Sequence, residues 1–245
     1  MISLHNLALR AGENIILRDY DFNINKGDVL AIMGANGVGK TTLLNALIGN
    51  NTPVSGEVSR SGVIGYVPQL FDMPFSYSVL DIVLMGRARY LGLTGSPSRQ
   101  DFELAHQYLE MMQIHHLHER NFNQLSGGQK QLVMIAQALT SECDILILDE
   151  PCSALDYHNQ AIVLSKIRLL NNQMRMTIVY STHMPQHALE TASHVLLMSG
   201  QDNYLYGRTT EILTSRNLTD LYGINVDNAI FQSDDSVTLA PRFEM

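Results

Sequence analysis

The residues Gly34-Ala35-Asn36-Gly37-Val38-Gly39-Lys40-Thr41 fit the pattern Gly-x-x-x-x-Gly-Lys-Ser/Thr. Glycines at this spacing let successive backbone N–H groups turn inward onto phosphate oxygens. A helix N-terminus behind such a loop adds about half a positive charge. Lys40 is long enough to reach terminal phosphates, and the Thr41 hydroxyl can ligate Mg2+. The chemistry is phosphate binding, and the flanks suit it. The apolar run 29–33 is predicted as a buried strand, and the run 42–48 as a helix stopped by Gly49.

Two further stretches carry chemistry. Ile145-Leu146-Ile147-Leu148 reads as a buried strand and ends in Asp149-Glu150. A carboxylate at such a strand end can hold Mg2+, and Glu150 beside it can polarise a water for in-line attack on a γ-phosphate. Leu125-Ser126-Gly127-Gly128-Gln129 leads straight into a predicted helix over 130–140 and reads as a second anion site. One nucleotide does not need two such loops. Two copies facing head to tail would use both, with Lys40 of one and Ser126 of the other on each γ-phosphate.

Elements must hold these groups in place. Strands are predicted over 2–9, 19–24, 63–67, 177–180, 194–198 and 203–206, with helices over 158–170 and from Pro185. Gln69 follows Pro68 at the end of the 63–67 strand, and His183 follows Ser181-Thr182 at the end of the 177–180 strand. Between Gln69 and Leu125 the texture changes. Phe71, Met73, Phe75 and Tyr77 lie in an aromatic, Pro-punctuated loop, with partial exposure expected. Ser78-Val79-Leu80-Asp81 reads as a capping box opening a helix through Met85. A helix over 101–112 follows, with Phe102, Ala105, Leu109 and Met112 on its apolar face. Residues 71–125 are read as a helical subdomain inserted into a single α/β domain spanning 1–245, and 225–245 as a short irregular tail.

Composition limits the alternatives. A chain of 245 residues, 45% hydrophobic, has ample core for one such domain. The net charge of −8 argues against nucleic acid as a partner. Two cysteines, Cys143 and Cys152, are too few for a disulfide framework. The start lacks the pattern of a signal peptide, and no apolar run approaches the length needed to span a bilayer, about 18 residues. His115, His116 and His118 read as an exposed helix end rather than a metal site.

As a set, these motifs resemble the nucleotide-binding subunit of an ATP-binding-cassette (ABC) transporter, over residues 2–223. The resemblance rests on the phosphate loop 34–41, Gln69, Leu125 to Gln129, Asp149-Glu150, Ser153-Ala154-Leu155-Asp156 and His183. It implies a phosphate-loop NTPase (RecA-like) core with an N-terminal antiparallel β subdomain and an inserted helical subdomain. It implies an ATPase using ATP and Mg2+. Nucleotide would be held by Gly34, Asn36, Gly37, Gly39, Lys40, Thr41, Thr42, Ser126, Gly127, Gly128, Gln129 and Asp156. Mg2+ would be held by Thr41, Gln69 and Asp149, and the catalytic groups would be Glu150 as base, His183 and Gln69.

The stretch between Phe71 and Arg87 resembles that of importers of metal chelates and oxyanions: iron-siderophore, haem, cobalamin and molybdate. Implied partners are a second copy, a polytopic membrane permease docking on that stretch and, indirectly, a periplasmic substrate-binding protein. The implied location is the cytoplasmic face of a bacterial inner membrane. The alternative is a soluble ABC ATPase, such as an iron–sulfur assembly factor. The chain departs from the pattern at the adenine. Residues 7–14 contain no aromatic, leaving Arg10 as a candidate to stack on the base. Cys152 stands where the family usually has Thr.

Overall fold

The computed structural model describes residues 1–69, 75–92, 95–230 and 237–242. In chain order, β1 (Ile2–Ala11) and β2 (Asn14–Ile24) precede β3 (Val29–Gly34), α1 (Lys40–Ile48) and β4 (Ser55–Arg60). Then come β5 (Ile64–Val67), α2 (Val79–Met85), α3 (Arg99–Met111), α4 (Gly127–Thr140), β6 (Ile145–Leu148) and α5 (Tyr157–Met174). They are followed by β7 (Thr177–Ser181), α6 (Pro185–Thr191), β8 (His194–Met198), β9 (Tyr204–Arg208), α7 (Thr209–Ile212) and α8 (Ser215–Tyr222). β10 (Val226–Ile230) and β11 (Val237–Pro241) complete the order. The chain forms two compact units, 1–61 with 177–245, and 62–176.

In the first unit, β2, β1 and β4 form an antiparallel sheet. Its inner face is apolar: Ile2, Leu4, Leu7, Leu9, Leu17, Tyr20 and Ile24 are fully buried. β3 is buried along its whole length, with no alternation, because parallel neighbours β7 and β8 lie on both edges. β9 runs antiparallel on β8. Tyr204 and Tyr206 of β9 stack on Tyr20 and Phe22 of β2, which ties the two sheets of this unit together. The stretch from 225, expected to be irregular, carries β10 and β11 paired antiparallel from Val226↔Pro241 to Ile230↔Val237. Polarity hid the pair: in β10 only Val226 is buried, Asp227 and Ala229 are half-buried and Asn228 and Ile230 are exposed, so only a thin apolar signal remains.

In the second unit, β5 and β6 pair in parallel from Ile64↔Ile145 to Val67↔Leu148. Helix starts are strongly specified. Ser78 with Asp81, Ser98 with Asp101, and Ser126 with Gln129 each form a reciprocal capping box, ahead of α2, α3 and α4. Each cap is worth about 1 kcal/mol. α2 matches its expected span. α3 differs in its face: Asp101, Ala105, Tyr108 and Leu109 are buried, while Phe102 is 39% exposed. The reason is Asp101. It accepts from Arg87 Nε at 2.6 Å and takes a buried place beside Ala105, Leu109 and Met112, which are buried as expected, while Phe102 stays at the surface. Arg87 also donates to Glu142 Oε2 and the Thr140 carbonyl and lies over the Tyr90 ring, so one guanidinium ties α2, α3 and α4 together.

Candidate nucleotide site

The phosphate loop leaves β3 at Gly34. A Cβ there would sit 2.6 Å from the Met198 carbonyl oxygen and 2.9 Å from Val38 Cγ1, so only glycine fits beside β8. Gly39 caps α1 in a left-handed conformation, φ +108°, closed to most side chains. The first turn of α1 holds no acidic residue that would offset the positive end of the helix. At its far end, Arg60 from β4 donates Nε to Leu47 O at 2.7 Å and Nη2 to Ala46 O, placing a cation on the negative end. Lys40 is buried, and its Nζ donates to the carbonyls of Gly34 at 3.0 Å and Ala35 at 3.2 Å. The lysine is thus held over its own loop. Asn36, Gly37 and Thr41 are exposed and Thr42 half-buried.

His183 belongs to the same unit. Thr182 N donates to Ile32 O at 2.9 Å, extending the β3–β7 pair, so His183 leaves β7 at the edge where the loop leaves β3. Thr182 is locked from below. Its Oγ1 accepts from Met184 N at 3.1 Å and meets Nδ1 of buried His187 at 3.0 Å. Burial, then the neighbouring His183, pushes His187 down to about 4, so it is neutral at pH 7. The His183 side chain is exposed.

In the second unit, β5 and β6 end in register. Asp149 N donates to Val67 O at 2.9 Å, and Gln69 and Glu150 follow their strands at the same edge. Asp149 is 5% exposed; its charge, after burial itself, pushes the Tyr66 phenol up. Glu150 takes φ +47° and Ala154 φ +60°, conformations that cost L-residues about 1 kcal/mol or more. A tight turn holds them: Ser153 donates its N–H and its Oγ to Glu150 O, at 3.0 and 2.9 Å.

Ser126 and Gly127 are exposed ahead of α4, whose first turn also lacks acidic residues. Gly128 does a different job. A Cβ there would lie 2.3 Å from Asn159 Oδ1. Asn159 in turn donates Nδ2 to both oxygens of Asp156 and its N–H to Oδ1, at 2.8–3.0 Å. Asp156 caps α5, and its hydrogen bond from the Asn159 backbone holds its carboxyl below the ordinary range. The motifs around Ser126 and Asp156 are therefore joined through Asn159. A sequence reading passes over that residue, although an Asp N-cap three residues ahead of it was a visible signal.

Phe75 is 65% exposed and meets the half-buried Tyr77 edge-on, while Phe71 and Met73 lie outside the described residues. Arg10 is exposed near the β1–β2 turn, and Ile16 of β2 lies against Gly39. His115 and His118 meet a third imidazole, His106, whose Nδ1 is 3.0 Å from His115 Nε2. Among the described residues no group of three or more His, Cys, Asp or Glu side chains is placed to hold a metal ion. Cys152 is buried, and burial pushes its thiol up to about 12, which keeps it protonated at neutral pH. Among the described residues no helix is long and apolar enough to cross a membrane.

The family model for the ABC transporter matches residues 17–153, from β2 through the phosphate loop, Ser126 and Asp149 to the turn behind Glu150. The chain belongs to the ABC transporter family. The cassette is 46% identical over 222 residues to the molybdate import ATP-binding protein MolC of Haemophilus influenzae, covering 90% of this chain and 87% of that one. A solved chain of an inward-facing metal-chelate type ABC transporter superposes with a TM-score of 0.94 at 42% identity, over 99% of this chain and 98% of that one. The ATP-binding cassette MJ0796, in a dimeric post-hydrolysis structure bound to ADP and Pi, superposes at 0.73 with 27% identity, over 85% and 99%. The cassette is thus an ATP-hydrolysing subunit of the transporter type, with the mixed α/β fold of an antiparallel β subdomain and parallel core strands.

Proposed function

We propose that the cassette powers an importer of a metal chelate or an oxyanion of the molybdate class. The observation that carries the reading is the 46% identity to MolC over nine-tenths of the chain, joined to an intact set of hydrolytic groups. The relatives reported are transporter subunits, which leaves a soluble iron–sulfur assembly role without support. The chain acts as one ABC ATPase domain over 1–245, with 71–125 as its helical subdomain.

Each residue takes a role that its setting supports. Backbone N–H groups of Gly34, Asn36, Gly37, Gly39 and Thr42 cradle the phosphates, and Lys40 moves from its own loop carbonyls onto the β- and γ-phosphates. Glu150 is the general base for the attacking water. His183 and Gln69 hold that water and the γ-phosphate. Thr41, Asp149 and Gln69 would hold Mg2+ through the hard oxygen donors that suit it, and the ion would neutralise phosphate charge. Ser126, Gly127, Gly128 and Gln129 present an uncompensated helix N-terminus to the nucleotide of a second copy, and Asp156 lies at the junction between copies.

Closure of the homodimer on two ATP molecules favours one access state of the permease, because ATP binds the closed form more tightly. The permease docks between Phe71 and Arg87, where Phe75 is exposed. The cassette then sits on the cytoplasmic face of the inner membrane, fed by a periplasmic substrate-binding protein. The experiment is Glu150→Gln in the purified protein. ATP binding is retained, turnover falls by at least about a hundredfold, and a stable dimer forms with ATP on size exclusion. Undiminished hydrolysis removes Glu150 as the base.

A further inference from the structure

The C-terminal segment grips the His183 loop from two sides. Tyr222, the last residue of α8, donates its hydroxyl to the His183 carbonyl at 3.0 Å. Gln186, on the first turn of α6, donates Nε2 to the Leu239 carbonyl of β11 at 2.7 Å. The two ties bracket residues 183–186.

The segment that makes these ties is itself braced. Thr214 caps α8 by accepting from Asn217 N, and Asn217 Nδ2 reaches back to Ile212 O at 2.8 Å. Gly223 closes the helix in a left-handed conformation, φ +67°. β10 is tied to α8 through Val226 N on Thr219 Oγ1 and Ser215 Oγ on Asn228 Oδ1, at 3.0 and 3.1 Å. β11 completes the hairpin, with Leu239 buried. Such a brace has little use as core: α8 buries only Leu218 fully. Its polar contacts instead lead to one loop.

That loop needs an outside tie. On its amino side, His183 is fixed through Thr182, bonded to Ile32 O and His187. On its carboxyl side, the His183 carbonyl is met by the Tyr222 hydroxyl. The imidazole projects into solvent from a peptide held at both ends, which suits a side chain that must keep one direction. Tyr222 is a durable donor, since burial pushes its phenol up to about 12 and keeps its proton in place.

We propose that Tyr222, braced by the C-terminal hairpin, is a positioning residue that aims His183 and so sets the rate of ATP hydrolysis rather than ATP affinity. The proposal rests on the role given to His183 above. Its loss leaves a backbone carbonyl to water and frees the peptide that carries the imidazole.

The test uses the full chain and Mg-ATP. Tyr222→Phe keeps the ring and removes the hydroxyl. The expected result is a fall in kcat on the order of tenfold, with KM for ATP and the melting temperature unchanged. Gln186→Leu, which cuts the second tie without touching the ring, lowers kcat in the same direction. In single-turnover assays, where slow residual hydrolysis is measurable, Tyr222→Phe adds nothing to His183→Ala. An unchanged kcat in Tyr222→Phe beside a crippled His183→Ala overturns the positioning role alone. So does an equal loss in both backgrounds, or a rise in KM with kcat intact. Full activity in His183→Ala overturns the role of His183 itself, and the positioning role with it.

Discussion

Single residues here are fixed by what touches them. Gly34 is the clearest case. Its motif position explains a flexible turn, but the structure adds a wall, the Met198 carbonyl 2.6 Å from any added Cβ. Gly34→Ala therefore forces β3 and β8 apart at the root of the loop. The expected loss is about 1–3 kcal/mol of stability together with weaker nucleotide binding, read by denaturant unfolding and by titration with a fluorescent ATP analogue. Cys152 is the opposite case, a residue made inert by its setting. Both thiols are buried, with Cys143 pushed up to about 11 and Cys152 to about 12. Native protein treated with maleimide at pH 8 should carry no adduct at either position in the time that labels the urea-unfolded chain fully, as read by intact mass. An adduct on native Cys152 contradicts its burial. Motif residues were legible because their chemistry demands a type at a spacing: Lys40, Asp149 and Glu150 stand out in the sequence for that reason. Asn159, Arg60 and Tyr222 were not. Their value lies in partners far away in the chain or on another element, such as the Arg60 contacts to Leu47 and Ala46 and the Tyr222 contact to His183.

Elements show the same division. A capping box announced α2 in the sequence, since serine and its partner three residues on are a local signal; the box ahead of α4 reads there only as an anion site. The face of α3 was misread at Phe102 because a tertiary ion pair, Arg87 with Asp101, outweighed apolar periodicity. The β10–β11 pair escapes a sequence reading because its few apolar residues stand among polar ones. The Arg87–Asp101 clamp yields a pH prediction. Hydrogen bonds from the Ser98 side chain and backbone, then Arg87, hold the Asp101 carboxyl down to about 2 from 3.8. A depressed carboxyl contributes stability that is complete above its unfolded value and drains as pH falls toward its folded one. Asp101→Asn should thus lower the melting temperature at pH 7, and the two curves should converge as pH falls from 3.8 to about 2. A gap that persists unchanged at the acid end places the effect in packing instead of charge.

At the scale of the whole molecule, each unit carries part of the proposed machinery. Lys40 and His183 belong to the first, while Gln69, Ser126, Asp149 and Glu150 belong to the second. The N-termini of α1 and α4 both lack acidic residues in their first turns, and the proposed sharing of nucleotide between copies gives each an anion to meet. Symmetry makes such sharing economical, since one head-to-tail pair completes two sites at once. The most direct measurement is ATP hydrolysis by mixed dimers assembled from two differently tagged chains. In one dimer, Lys40→Ala sits in one protomer and Ser126→Arg in the other; in the second dimer, both changes sit in the same protomer beside an unaltered one. The shared-site account predicts that the first dimer keeps about half of the activity, its two lesions falling on one composite site, and that the second keeps none. The reverse pattern, activity only in the dimer that contains an unaltered protomer, would mean that each chain builds its site alone and would contradict the account.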